Sequence, residues 1–356
     1  MSHMSSNPTD APNGPHVSRR EFDALFETVR TWGRWAPEGR GAWNRVTADH
    51  VGRAAALVRS GTVVPMARPW DTTPGPDNGN PALHYMSDLG DVVAPEPSAH
   101  KDFIGADYHG KAVSHLDALS HIAYRGRFYG GGTARELVGA AGTRFGDVAA
   151  LGSLVTRGVL LDLPAASGTT WLEPGQAVHA ADILAAETAL GVETGEGDAV
   201  LLRTGRFRRR REVGAWDLDA ASAGLHVEAM PLLAERGIAL LGSDGDSDVR
   251  PSPVEGLHSP VHTLAIAAMG VPLLDNLDLE ALSAACAEAQ PLRVPAPGRA
   301  PERPRRHGLA RQSDRGPVRG GPARTVAVGR PPQSLPLCRQ SSKMEHRRSC
   351  STYGWP

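Results

Sequence analysis

The spacing of short apolar runs sets the strongest limit on how this chain can fold. Residues 62–66, 158–163, 199–203 and 239–242 are mainly apolar and are bounded by Gly, Pro or charged residues. Runs of that length are short for core helices and fit strands buried on both faces. The stretches 180–190 and 229–235, which lie between the later runs, read as helices, and so does 279–289. Near the start, Phe22, Leu25, Phe26 and Val29 fall at helical spacing within 19–32 and predict an amphipathic helix. Strands alternating with helices, with turns drawn from 40 Gly and 29 Pro, predict a mixed α/β fold.

A chain of 356 residues, 40% of them hydrophobic, can bury a real core as one large domain or two smaller ones. No apolar run is long enough to cross a bilayer, and the polar start does not resemble a secretory signal, so a cytoplasmic location is expected. Residues 1–18 read as a flexible leader, 19–290 as the main folded body and 291–356 as a basic tail. The three cysteines, Cys286, Cys338 and Cys350, have no paired spacing, and Cys286 on its apparent helix reads as a small buried hydrophobe. Nucleophilic thiol chemistry is therefore a poor fit. Gly130, Gly131 and Gly132 lack the spacing of a nucleotide loop, and no Gly-x-Ser-x-Gly elbow is present.

The chemistry concentrates in segment 107–121, which carries Asp107, His109, His115, Asp117 and His121. Imidazole and carboxylate groups bind divalent metals and move protons near neutral pH. If 114–117 is extended, His115 and Asp117 point to one face and could reach one ion. A helical turn beginning near Asp117 would set His121 beside that carboxylate, where it could take a proton from water.

The run Ser114-His-Leu-Asp-Ala-Leu-Ser-His121 resembles the signature of the metal-dependent cyclase family, which includes bacterial arylformamidases and isatin hydrolase. In that signature, His-x-Gly-Thr-His-x-Asp-x-Pro-x-His, the first two histidines and the aspartate bind metal and the last histidine is the acid/base. The resemblance therefore implies His115 and Asp117 as ligands of zinc or manganese and His121 as general acid/base. Val113, Ser114 and Leu119 replace the glycine, threonine and proline, and Lys111 stands where the first metal histidine falls. A charged lysine has no lone pair for a metal. Four readings stay open: His109 substitutes as ligand, the site holds a single ion, it holds the ion weakly, or the Lys111 ammonium stabilises an oxyanion without metal.

The similarity extends over roughly residues 25–290, through Trp35 to Thr47, Gly197 to Gly205 and Pro260 to Leu277. In the last of these, His262 and Asp275 match the histidine and the later acidic residue that complete the family's metal site, Asp275 being shorter than the usual glutamate. The resemblance implies a compact β-rich core with peripheral helices, a swivelling β/β/α-like fold, and assembly as a homo-oligomer, dimer or higher. It also bears on the tail, where the family's terminal strand and loop dissolve into Arg/Pro/Gly-rich sequence after 295 and imply a shifted reading frame. The tail holds 14 of the 38 Lys and Arg and three of the 39 Asp and Glu, leaving a body of 24 basic and 36 acidic residues. Eleven prolines and little apolar periodicity there predict disorder. Without interleaved aromatics the tail does not read as a nucleic-acid binder.

Other polar clusters read more plainly. The carboxylates of 243–248 fit a strand-end turn beside the active site better than a calcium loop. His226 resembles part of a family segment near the pocket and reads equally as a helix-start residue, His258 as a loop residue, and the arginines of 206–211 as a solvated face or oligomer contact, with substrate-carboxylate binding as a minority reading. The leading functional reading is metal-assisted hydrolysis of a small amide, formamide or cyclic amide, arylformamidase-like, acting on a small-molecule substrate. One alternative is an intramolecular cyclase or dehydratase of secondary metabolism using the same groups. Another is an inactive relative that serves as a binding protein, which Lys111 and the tail favour.

Overall fold

The computed structural model describes residues 14–90, 97–289 and 325–326. At its centre are five strands: β1 (His115–Asp117), β2 (Thr156–Asp162), β3 (Ala199–Arg203), β4 (Leu240–Ser243) and β5 (Leu273–Asp275). Their spatial order is β2-β3-β4-β5-β1, with the first four parallel and β1 antiparallel on β5. A two-residue strand, Thr325–Val326, pairs antiparallel with the outer edge of β2. The rest of the predicted tail, and most of the leader, lie outside the described residues.

Parallel strands are covered on both faces, which is why β3 is apolar almost throughout: Ala199, Val200, Leu201 and Leu202 are all buried. Burying one such Leu or Val contributes about 1.5–3 kcal/mol. The predicted strands at 158–163, 199–203 and 239–242 correspond to β2, β3 and β4, and the predicted helices to Ala180–Leu190, Met230–Arg236 and Glu280–Ala289. Residues 62–66 form no strand. They run without a ladder partner and leave Val63 89% exposed, because β propensity alone provides no neighbour to pair with.

The first helix, Arg19–Val29, opens with a capping box in which Ser18 Oγ accepts from the Glu21 amide while Glu21 Oε2 accepts from the Ser18 amide. Its buried stripe of Phe22, Phe26 and Val29 packs toward the segment that carries His262. That segment begins as a single turn, Pro260–His262, and widens into a π-helical stretch, Thr263–Ala268. π-Helical turns recur at functional sites. The stretch is clamped from outside, since Trp32 Nε1 donates to the Ala267 carbonyl at 2.7 Å and the Thr31 amide to that of Ala268 at 3.0 Å.

The lead into β5 leaves no room for a side chain on its neighbour. A Cβ on Gly41 would lie 2.2 Å from the Gly270 carbonyl oxygen, and Gly41 has φ of 49°, so glycine is required there on both counts. Further out, Leu83–Met86 and Asp102–Gly105 form an antiparallel ribbon that leads into the 107–121 segment.

Candidate metal centre

The site gathers at the edge where β1 meets β5 and just beyond the carboxyl end of β4, the end of a parallel sheet where ligands usually bind. Strand alternation sends Leu116 into the core and both His115 and Asp117 to the opposite face. The β1–β5 register then pairs His115 with Asp275. His115 Nδ1 lies 3.1 Å from the Val113 carbonyl, which places the proton on Nδ1 and leaves the Nε2 lone pair facing Asp117 Oδ1 at 3.6 Å.

His109 arrives from a turn closed by the Gly110 amide on the Asp107 carbonyl. Its Nδ1 lies 2.6 Å from Asp117 Oδ1, although the side chain is 41% exposed. His262 is built the other way, buried and backed by a carboxylate. Its Nδ1 is 2.6 Å from Asp248 Oδ2, and Asp248 also accepts the backbone amides of Val261 and His262. This fixes the ring so that Nε2 faces Asp117 Oδ2 at 3.4 Å and Asp275 Oδ2 at 3.2 Å. Asp275 is steadied in turn by Ser247, whose hydroxyl donates to Oδ1 at 3.1 Å. Ser247 and Asn276, on either side of this contact, both have left-handed backbone, with φ of 60° and 57°. Non-glycine residues take that conformation at some cost in strain.

Two groups that could hold a metal ion result, His109/His115/Asp117 and Asp117/His262/Asp275, with Asp117 common to both. The residues fit a cation. Asp117 Oδ2 is buried and has no hydrogen-bond partner. Asp117, Asp248 and Asp275 also bring three buried carboxylates around one imidazole. Burial opposes the charge on His262, yet contacts with Asp117, Asp248 and Asp275 outweigh it and hold this imidazole well above its ordinary value. Burial likewise disfavours the charge on Asp117, but His109 and His262 hold its carboxyl below the usual range, whereas burial raises Asp275.

His121 stands on a tight turn closed by its own amide on the Ala118 carbonyl, not on the helical turn expected from the sequence. The outcome for reach is similar. Its Nε2 lies 3.8 Å from Asp117 Oδ2, and its ring stacks on His109 with centroids 3.7 Å apart. Burial pushes the His121 imidazole down to about 4, so in this setting it is a neutral base at pH 7.

Lys111 goes elsewhere. Its ammonium donates to Asp246 Oδ2 at 2.9 Å, outside both ligand groups, and Arg250 shares that carboxylate at 3.1 Å. Burial would raise Asp246, but the charges of Lys111 and Arg250 keep it well below the usual carboxylate range.

The sequence reading placed the 243–248 turn beside the site without assigning Asp248 or Ser247 a role there. Their signal was the run of carboxylates directly after a strand. The arginine run is corrected at its first member, since Arg206 is buried beside Phe207 while Arg208, Arg209, Arg210 and Arg211 make ion pairs. A third possible group, His179/His226/Glu228, is compromised as a metal site: His226 Nδ1 accepts the Glu228 amide and Nε2 meets the Pro15 carbonyl.

Among the described residues, no helix is long and apolar enough to cross a membrane. No curated protein matches the chain. A crystal structure described as that of a novel cyclase is similar, with a TM-score of 0.67 at 24% identity over 74% of this chain and 89% of that one. Isatin hydrolase A from Labrenzia aggregata is a weaker match, with a TM-score of 0.42 at 20% identity over 64% of this chain and 83% of that one. Only the first overlap is close enough to bear on the fold, and it agrees with the mixed α/β sheet. The model of the family described as "Putative cyclase" matches residues 42–247, more than half of the sequence and including the whole of segment 107–121, and the chain therefore belongs to the cyclase family.

Proposed function

We propose that this protein is a metal-assisted hydrolase of a small amide, formamide or cyclic amide, arylformamidase-like in its chemistry. The observation that carries this reading is Asp117, a buried carboxylate with one unpartnered oxygen, shared by two histidine-containing groups and flanked by His121. His109, His115, Asp117, His262 and Asp275 would hold the metal. When bound, a divalent ion such as zinc or manganese supplies Lewis-acid polarisation of a carbonyl and acidifies water.

The chain's own residues do the rest. Asp248 and Ser247 hold His262 and Asp275 in place, so little reorganisation is needed as charge develops. His121, neutral and half-enclosed, accepts a proton from water as the oxygen–carbon bond forms. It returns that proton to the leaving nitrogen as the carbon–nitrogen bond breaks. Stacking on His109 keeps its ring oriented through both transfers.

The test is a panel of N-formyl aromatic amines, isatin and lactones, assayed with chelator-treated protein before and after addition of zinc or manganese. Turnover of an amide or formamide that returns with metal, and is lost in His121→Ala while metal content is unchanged, is the expected result. Full metal loading with no turnover across the panel would overturn the proposal.

A further inference from the structure

Beside the metal centre lies a narrow cleft whose lining includes Lys111, Arg206, Asp246, Leu172, Trp216 and Leu218. It joins two features the hydrolytic reading leaves unused: the lysine that departs from the family signature, and the one arginine of the 206–211 run that is buried.

Arg206 is only 6% exposed. Its Nη1 donates to the Asp244 carbonyl and to Asn276 Oδ1, both neutral acceptors, while Nε and Nη2 have no acceptor. Asp244 is close, but its carboxylate is taken up by the amides of Thr204, Gly205 and Arg206 and by the Thr204 hydroxyl. Asp246 is already shared by Lys111 and Arg250. Lys111 also lies 3.9 Å from Asp219 and Arg250 3.9 Å from Asp248, so both have carboxylate partners, whereas no carboxylate forms an ion pair with the Arg206 side chain among the described residues. A guanidinium withdrawn from water with unused N–H groups is suited to a carboxylate, whose two oxygens match its planar fork. Leu172, Leu218 and Trp216 line the same cleft. This lining suits an unsaturated or aromatic body next to the acid group.

We propose that this cleft is a carboxylate-binding subsite, in which Lys111 and Arg206 recognise the acid group of a small aromatic or apolar carboxylate. Its role in catalysis rests on the hydrolase reading: the substrate carries that acid group at one end and its scissile carbonyl at the other. The side chain that took the place of a metal ligand then selects the substrate.

Benzoate and its neutral counterpart benzamide, titrated calorimetrically into full-length protein freed of metal by chelation, test the subsite without requiring turnover. Benzoate is expected to bind saturably, at least tenfold more tightly than benzamide. Lys111→Met should remove that preference, while Arg211→Met, on the exposed part of the same helix, should leave it intact. Arg206→Met is informative only if circular dichroism shows it folded, so Lys111→Met and Trp216→Ala carry the test. Absent benzoate binding, equal affinity for the two probes, or a preference that survives Lys111→Met would each overturn the subsite. Because no turnover is measured, a Lys111-dependent preference for benzoate stands even if the substrate panel fails. If the panel succeeds, a formanilide bearing a ring carboxylate should show a lower KM than plain formanilide, with the difference lost in Lys111→Met and kcat less affected.

Discussion

The two ligand groups that share Asp117 are built by different means. In the deeper one, His262 and Asp275 are both buried, and each is held from behind, by Asp248 and Ser247 respectively. In the shallower one, His115 leans on a backbone carbonyl, while His109 is 41% exposed and steadied by Asp117 and by stacking on His121. Backing partners fix a ligand's orientation before any ion arrives, so the deep group is preorganised and the shallow group is adaptable.

Asp117→Ala should have the largest effect, because it removes the residue both groups share. Zinc or manganese content after dialysis should fall to background and affinity should drop by more than roughly 100-fold, beyond the loss typical of a backing residue. Retention of a full equivalent of metal would break the picture of one shared carboxylate. Asp248→Asn comes next. It keeps the shape but weakens the hold on His262, and calorimetric metal titration should show a loss of about 10- to 100-fold. His109→Ala should cost less, at most about tenfold, since this ligand is half in solvent and least held. A larger loss for His109→Ala than for Asp248→Asn would reverse the ranking of the two groups.

The same contrast accounts for what could be read from the sequence. The shallow group lies within one short segment, so the alternation of β1 brings His115 and Asp117 together and the nearby His109 is a natural third. The central strands were legible for a related reason: parallel strands buried on both faces leave an unbroken apolar trace, as β3 does. The run 62–66 left a similar trace and formed no strand, because pairing depends on a neighbour that a local window does not contain. The deep group depends on contacts between 247–248, 262 and 275, and nothing local marks Asp248 as the partner of His262. His262 and Asp275 themselves came only through the family resemblance. Arg206 was hidden by its company, a buried member of a run whose other arginines make ion pairs.

Preorganisation of the deep group also depends on a space. Gly224 packs so closely that a Cβ there would lie 2.5 Å from the carbonyl carbon of Asp248. Gly224→Ala must therefore push the Asp248 backbone away and loosen His262 from a distance. Overpacking of this kind costs about 1–3 kcal/mol, so urea unfolding should reveal that loss together with a weaker metal titration. A loss of stability with metal affinity untouched would mean that the position of Asp248 matters less than its charge.

The smallest expected effect comes from a residue belonging to neither group, which makes it a control on both. Tyr129 is fully buried, donates to the Thr31 carbonyl at 3.0 Å, and lies so close to Gly270, just before β5, that a Cβ there would come within 2.7 Å of its ring. Burial pushes its phenol up to about 12, against an unfolded value of about 10. A folded-state pKa above the unfolded one means that the native protein holds this proton longer. The stability it contributes is therefore complete below pH of about 10 and is lost as pH rises through the folded value. Urea midpoints should fall as pH rises from about 10 towards 12, and Tyr129→Phe should flatten that fall. Because the phenol acts through the packing that delivers β5, metal affinity measured at neutral pH should be almost unchanged in Tyr129→Phe. A marked loss of metal there would mean that the rigidity of the deep group is set by the whole approach to β5 as well as by Asp248 and Ser247.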